Sequence, residues 1–189
     1  MPHLRGIALN YGQEDYKRAR QSLNRLSVDL DLPIEYVDIH NLVNAFAGFI
    51  EQDYEGFPMM LTELSRKSAA GSMVSAVYAE SIGFHALAEG VNKDDLERYV
   101  FRRDVHRHIA EVQSLGNDFK FQVVTPLIDM TKVECLRLAV ALDVPFEATW
   151  SCWRGNIRHC GRCPGCDSRV NAFQEAGLTD PVVYEPDPA

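Results

Sequence analysis

The chain has 189 residues and a mass of 21.3 kDa, with 46% hydrophobic and 24% charged residues, a composition typical of one soluble globular domain. Its formal net charge of −8 at pH 7 argues against a protein that coats nucleic acid through general basicity. No apolar run is long enough for a membrane helix, and the first residues lack the apolar core of a secretory signal, so we expect a cytoplasmic protein.

Hydrophobic periodicity predicts strands that alternate with helices along the chain. The predicted strands are residues 5–10, 34–39, 84–91 and 119–124. The predicted helices are residues 14–32, 68–82, the later part of 93–112, 131–142 with a Thr131–Glu134 capping box, and a last helix that Asp167 or Ser168 caps and Gly177 ends. Residues 41–50 fit either type, and residues 51–58 are predicted as a loop. This alternation predicts an α/β protein with a parallel sheet and helices on both faces.

Ligands bind at the carboxyl ends of the strands in such sheets, which here fall at residues 10–13, 90–95 and 125–131. Asn92 and Asp95 follow a strand and are candidates for hydrogen bonds to a pyrimidinone edge. Lys132 lies in the first turn of a helix, where backbone N–H groups also attract phosphate, but a solvated lysine has the same pattern. Asp129 is a candidate to orient an amine or a metal, or is a turn residue. The sequence contains no recognisable glycine-rich phosphate loop.

Four of the five cysteines lie in one short C-terminal segment, namely Cys152, Cys160, Cys163 and Cys166. Four thiolates at this spacing, with glycines between them, favour one structural Zn²⁺ per chain, because a full set of sulfur ligands leaves no position for substrate. An iron–sulfur cluster and a redox pair are the alternatives. The fifth cysteine, Cys135, fits a buried position in a helix.

Two other features of this part of the chain have more than one interpretation. Trp150 lies two residues before the first clustered cysteine, so it is a candidate to stack on a purine-like ring, or it packs against the metal loop. Two clusters of basic residues occur at 98–108 and 154–169. We interpret them as locally balanced by acidic residues and the metal-site charge, with binding of phosphate or a polynucleotide backbone as the alternative.

Several motifs, in this order, resemble one enzyme family. The motifs are Asn10-Tyr-Gly-Gln13, Gly90-Val-Asn92, Pro126-Leu-Ile-Asp-Met-Thr-Lys-Val-Glu134, Thr149-Trp-Ser-Cys152, Cys160-Gly-Arg-Cys-Pro-Gly-Cys166 and Ala176-Gly-Leu-Thr-Asp-Pro181. The sequence is thereby similar to the 7-cyano-7-deazaguanine synthases, which belong to the ATP-pyrophosphatase, or adenine nucleotide alpha-hydrolase-like, superfamily. The cysteine segment is the most specific of these motifs, because relatives in the superfamily share parts of the others.

The resemblance implies conversion of 7-carboxy-7-deazaguanine to the nitrile with ATP and ammonia, through an amide. It implies a structural zinc at the four cysteines and ATP with Mg²⁺ as co-substrate. The substrate- and nucleotide-binding candidates that it implies are Tyr11, Gln13, Arg66, Asn92, Asp95, Asp129, Lys132 and Trp150. No catalytic residue is assigned.

The sequence departs from the family in three places. The family's Ser-Gly-Gly-x-Asp-Ser ATP loop does not occur, and the match starts at the family's second strand. Arg66-Lys67 stands for the family's Arg-Asn pair, and residues 93–99 replace a Tyr-Ser-Gly-Tyr-Pro-Asp-Cys-like substrate stretch. We therefore expect residues 1–148 to form an α/β domain without the first strand, with a zinc-binding segment and C-terminal helix at 149–189 packed on it.

An absent strand exposes a sheet edge, which favours a homodimer or a partner chain that covers it. Two functions other than the synthase reaction stay open. One is a family member without ATP chemistry that binds a deazapurine, a nucleotide or a protein. The other is a zinc module that binds nucleic acid.

Overall fold

The computed structural model describes residues 4–42, 53–54, 57–58, 61–98 and 103–186, and only the secondary structure of 53–54, 57–58, 61–68 and 97–98. The chain divides into two compact units. The first unit comprises Met1–Ala47 and Leu136–Ala189, and the second comprises Gly48–Cys135. Both contain parallel strands joined by helices, so the predicted α/β class is confirmed.

The first unit is built on two parallel strands, β1 (Gly6–Asn10) and β2 (Ile34–Asp38), which helix α1 (Tyr16–Asp29) connects. The register runs from Gly6 opposite Ile34 to Asn10 opposite Asp38, so both strands end at the same edge. Helix α1 packs on a 3₁₀ turn at Phe146–Ala148, where the Ser22 hydroxyl donates a hydrogen bond to the Ala148 carbonyl.

The second unit contains the parallel strands β5 (Ala86–Ala88) and β6 (Gln122–Val124), with an antiparallel pair formed by β3 (Asp53–Tyr54) and β4 (Phe57–Pro58). Its helices are α2 (Leu61–Ser81), α3 (Lys93–Arg98) and α4 (Arg103–Gln113). Small buried residues on α2, Ala76 and Ala79, allow close packing, and Phe121 is fully buried.

Two helices complete the chain: α5 (Lys132–Ala141) and α6 (Pro164–Ala176). Leu136 of α5 and Phe173 of α6 form a buried apolar cluster in the first unit, and the rings of Phe146 and Phe173 meet edge to face at 5.3 Å. None of the helices in the described ranges is long and apolar enough to cross a membrane.

Most predicted elements are present, but several boundaries were wrong. The strands predicted at 84–91 and 119–124 shrink to three residues each, whereas the helix predicted in the later part of 93–112 is present as α4, and α3 lies in the earlier part. The loop predicted at 51–58 contains the β3–β4 pair. The ambiguous segment at 41–50 lies almost entirely outside the described residues.

The last helix also begins earlier than predicted. Cys163, rather than Asp167 or Ser168, is its N-cap, because the Cys163 sulfur accepts a hydrogen bond from the Cys166 N–H and Pro164 fits the first helical position. Its end at Gly177, with a left-handed φ of 70°, is as predicted.

Candidate functional site

The four clustered cysteines converge on one point in the first unit. Their sulfur atoms all lie within 4.8 Å of one another, and all four residues are buried. The Cys160–Cys166 sulfurs are 3.9 Å apart, and the Cys152–Cys163 sulfurs are 4.0 Å apart. A tetrahedron of ligands with Zn–S bonds of about 2.3 Å has edges of about 3.8 Å. The sulfurs therefore fit a single tetrahedral ion, and their separations are far from the roughly 2.05 Å of a disulfide.

Backbone amides around the cluster point toward the sulfurs. Five N–H groups donate to sulfur at 3.3–3.5 Å, and they belong to Trp153, Arg154, Cys160, Cys163 and Cys166. Such bonds stabilise thiolates, which are the form that binds metal. The amides reach the sulfurs because the loop is tightly folded: a Cβ atom on Gly165 would lie 2.1 Å from the Ser151 carbonyl oxygen.

Hydrogen bonds among the clustered thiols shift their pKa values in opposite directions. Hydrogen bonding to Cys163 raises the pKa of Cys152 to about 12, and bonds to Cys152 and Cys163 raise the pKa of Cys166. Hydrogen bonds from Cys152 and Cys166 lower the pKa of Cys163. Four sulfurs this close cannot all be thiolates without a compensating charge, which a divalent metal ion supplies. The donor set and its geometry thus fit a metal ion.

A buried ion pair holds the segment that follows the metal loop. The Arg169 guanidinium donates to both oxygens of Asp180, at 2.7 and 2.8 Å, and to the Thr149 hydroxyl at 2.6 Å. The Tyr184 hydroxyl donates to the same carboxylate at 2.6 Å. Burial alone would raise the pKa of Asp180, but hydrogen bonds from Arg169 and Tyr184 outweigh it, and the pKa is lowered.

Trp150 lies against this structure. Its indole N–H donates to the Cys152 carbonyl at 2.7 Å, and its ring lies 4.2 Å from that of His159. The His159 Nε2 atom accepts from the Ser151 N–H at 3.3 Å, and burial lowers the pKa of His159. These are the contacts that packing against the metal loop predicts for Trp150.

The end of β1 forms a tight polar turn. Gln13 donates to the Leu9 carbonyl at 3.1 Å and accepts from the Tyr11 N–H at 3.0 Å, while the Tyr11 side chain is exposed. Across the strand pair, Asn10 donates to Asp38 at 2.7 Å. The metal loop passes close by, because a Cβ atom on Gly155 would lie 2.6 Å from the Glu14 carbonyl oxygen. Tyr11, Gln13 and the metal centre therefore share one end of the first unit.

The second unit brings together the polar segments after β5 and β6. Asn92 and Asp95 cap each other, with the Asp95 N–H donating to Asn92 at 3.1 Å and the Asn92 N–H donating to Asp95 at 3.2 Å. The Lys93 N–H donates to the Met130 carbonyl at 2.8 Å, which ties this turn to the Asp129–Lys132 segment. Four of the predicted site residues are thereby close together. Arg66 lies on α2, and its side chain is outside the described part.

The amino end of α5 is already occupied by side chains. The predicted capping box is confirmed: the Thr131 N–H donates to Glu134 at 2.7 Å and the Glu134 N–H donates to the Thr131 hydroxyl at 3.2 Å. The Lys132 N–H donates to the Asp94 carboxylate at 2.8 Å. A phosphate bound through these amides would have to displace a carboxylate.

Sequence reasoning missed three participants at this end of the second unit. Asp94 was not singled out, and its partner is 38 residues away. Arg103 was grouped with a basic cluster, but it pairs with Asp129 at 2.7 Å. Glu89, the last residue before the Gly-Val-Asn motif, lies 2.9 Å from His106. Its acidic side chain at a strand end was the signal available in the sequence.

Comparison with known proteins identifies the family. Residues 3–177 match the family model described as queuosine biosynthesis protein QueC. The chain belongs to this family. The strand ends and the four cysteines described above all lie within the matched region, and the QueC family has the adenine nucleotide alpha-hydrolase-like fold that the resemblance implies.

Curated relatives agree with this assignment. The chain is 31% identical over 192 residues to a 7-cyano-7-deazaguanine synthase of Thermoplasma acidophilum, with 95% of the chain and 80% of that protein covered. It is 29% identical to relatives of the same name from Methanothrix thermoacetophila, of which it covers 86%, and Sulfolobus acidocaldarius, of which it covers 42%. The chain thus spans less than half of the Sulfolobus protein and most of the other two.

Proposed function

We propose that this QueC-family protein is a 7-cyano-7-deazaguanine synthase, which converts 7-carboxy-7-deazaguanine to the nitrile with ATP and ammonia. The observation that carries the proposal is the family match over residues 3–177, which includes both sets of strand ends and the metal centre. Relatives named for this activity cover 95% of the chain at 29–31% identity. The cytoplasm, where ATP is supplied and thiols stay reduced, suits this chemistry.

The substrate carboxylate is a poor electrophile, so the reaction must first activate it. A carboxylate oxygen attacks the α-phosphorus of ATP and releases pyrophosphate, which turns the oxygen into part of a good leaving group. Ammonia then attacks the acyl carbon, AMP leaves with that oxygen, and a proton is lost to give the amide. A second ATP activates the amide oxygen in the same way, and loss of AMP and of both N–H protons forms the nitrile.

The described residues of the second unit supply polar groups suited to a deazapurine. We assign the substrate to the turn formed by Asn92, Asp95 and Asp129, because Asn92 is buried and fixed by its cap while Asp129 is exposed. Asp94 and Glu134 occupy backbone N–H groups at the start of α5, but the Lys132 side chain can still approach a phosphate. The carboxyl ends of parallel strands are the usual ligand position in this fold class.

In the first unit we assign a structural Zn²⁺ to Cys152, Cys160, Cys163 and Cys166. Zinc suits four thiolates in a tetrahedron, and a closed ligand set takes no part in bond making. The ion would stabilise the loop beside Tyr11 and Gln13, which we place in nucleotide binding. Elemental analysis of freshly purified protein should find one zinc per chain, whereas iron at that ratio would contradict the assignment.

The ATP site needs a contribution that the sequence motifs do not supply, since the Ser-Gly-Gly-x-Asp-Ser loop does not occur in the sequence. Separately, we propose that a second copy or a partner chain covers the exposed edge of the sheet. Light scattering at micromolar concentration should then show a mass above 21.3 kDa, and a monodisperse monomer would count against self-association.

The decisive experiment is a turnover assay. Zinc-loaded protein is incubated with ATP, Mg²⁺, ammonium and 7-carboxy-7-deazaguanine, and the products are followed by mass spectrometry. Amide or nitrile together with AMP supports the proposal. Lys132→Gln should lower the rate more than tenfold, and the exposed Lys120→Gln is its matched control. Folded, zinc-bound protein that forms neither AMP nor product means that this chain alone is not a synthase, and its binding of a deazapurine, a protein or nucleic acid would then be measured instead.

A further inference from the structure

Arg103 is the first residue of α4, and its guanidinium contacts Asp129 in the polar segment that follows β6. Its Nη1 atom is 2.7 Å from the Asp129 carboxylate, and the two side chains are 53% and 80% exposed. An ion pair this exposed adds little stability, at most a small effect after screening by water and salt. Within the described residues Asp129 is its one ion-pair partner, and the guanidinium has five N–H donors, more than one carboxylate uses in a fork.

A buried set of polar groups fixes the helix turn that carries Arg103. His106, one turn further along α4 and 3% exposed, lies 2.9 Å from Glu89 at the end of β5. The other oxygen of Glu89 accepts from the Ser72 hydroxyl of α2 at 2.6 Å. Because residues three apart share a helix face, the contact that anchors His106 also fixes the helix turn that carries Arg103.

The electrostatics of this position favour an anion. A cation at a helix amino terminus faces the positive end of the helix dipole, which costs stability and is offset only in part by Asp104 in the same turn. The same arrangement attracts a carboxylate, and the guanidinium fork matches the two oxygens of a planar carboxylate better than an ammonium does. Asp129 orients the Arg103 guanidinium but does not use all of its N–H donors.

We propose that Arg103 binds the carboxylate of the substrate and makes the protein prefer the acid over the neutral amide, an inference that rests on the proposed function. Ser72, Glu89 and His106 are positioning residues that act through Arg103. Lys132 is the rival cation at this end of the unit, but its backbone N–H is bound to Asp94 and a lysine offers no fork.

The test compares two substrates that differ in charge. The kcat and KM values are measured with 7-carboxy-7-deazaguanine and with the corresponding amide, for wild type and Arg103→Gln. Arg107→Gln is the matched control, because Arg107 lies on the same helix in an exposed pair with Glu111 at 2.8 Å. Dissociation constants for both compounds are measured by calorimetry, so that an answer does not depend on turnover.

Arg103→Gln should raise KM and Kd for the acid about tenfold or more and change those for the amide less than twofold. His106→Asn should reduce the preference for the acid in the same direction, which a purely structural role would not do, and Arg107→Gln should leave it unchanged. Equal effects on acid and amide, or a loss of preference in Lys132→Gln instead, overturn the inference while the proposed function stands. If the wild-type protein binds the acid selectively but shows no turnover, and Arg103→Gln loses that selectivity, the inference is supported and the proposed function is contradicted.

Discussion

Asp180→Asn should destabilise the protein strongly, because it removes one member of a buried ion pair. The Asp180 carboxylate accepts four hydrogen bonds, from Arg169 at 2.7 and 2.8 Å, from Tyr184 at 2.6 Å and from the Val182 N–H at 3.2 Å. An asparagine side chain has only one acceptor oxygen, and its amide N–H groups would face some of these same hydrogen-bond donors. Arg169, 7% exposed, would keep its charge with only the Thr149 hydroxyl and the Phe146 carbonyl as partners.

The expected loss in free energy of unfolding is about 3–5 kcal/mol, the usual cost of leaving one buried charge unpaired. Natural proteins have about 5–15 kcal/mol in total, so the loss is a large fraction. For a chain of this size it corresponds to a fall in Tm of about 6–20 °C. Urea unfolding of the zinc-loaded protein, followed by the fluorescence of Trp150 and Trp153 in the same segment, measures the change.

Two controls separate the buried pair from general effects of charge. Glu111→Gln, which breaks the exposed Arg107–Glu111 pair, should cost less than about 1 kcal/mol. The double variant Arg169→Met/Asp180→Leu removes both charges and should recover much of the loss, since apolar replacements of a buried pair are often neutral. The reasoning is refuted if Asp180→Asn costs no more than Glu111→Gln.

Three further predictions concern the same unit. A strong chelator should release the metal and unfold the segment around Cys152 and Cys166, seen as a change in tryptophan fluorescence that added Zn²⁺ reverses; unchanged fluorescence in metal-free protein would contradict this. Gly165→Ala should weaken metal retention and lower Tm, because its Cβ would lie 2.1 Å from a carbonyl oxygen, whereas Gly90→Ala has nothing within 4 Å and should leave Tm nearly unchanged. Because its folded-state pKa is lowered, Asp180 contributes stability that is present above its unfolded value of about 4 and is lost as pH falls through the folded value. Acid unfolding should therefore be less steep in Asp180→Asn, and an unchanged slope would argue against the lowered pKa.

The parts of the structure that were predictable are those encoded by neighbouring residues. The four cysteines lie within one short segment, so their convergence follows from spacing and ligand chemistry. The Thr131–Glu134 capping box is likewise complete within four residues, and the structure confirms it. Local signals failed where the metal loop imposed its own geometry, since Cys163 displaced the better capping residue Asp167 as N-cap of α6.

Contacts between distant residues were not predictable from pattern. The bond from Lys132 to Asp94 spans 38 residues, and the Arg169–Asp180 pair joins a helix to a segment beyond its end. Each residue alone looks like an ordinary surface charge. Trp150 shows a different limit, because stacking on a ligand and packing on the loop require the same flat apolar side chain. Its hydrogen bond to the Cys152 carbonyl is visible only in three dimensions.

Anion recognition in the second unit illustrates how such contacts change a functional argument. The sequence predicts an anion at the start of α5, where backbone N–H groups and Lys132 occur together. In the structure the carboxylates of Asp94 and Glu134 take those amides, so a ligand there would compete with a neighbouring side chain at very high effective concentration. The positive charge that binds an acidic substrate must then come from a guanidinium whose N–H donors are not all occupied. Arg103 at the start of α4 meets that condition. Comparing the acid substrate with its amide tests whether this guanidinium, rather than the backbone N–H groups of α5, binds the anion.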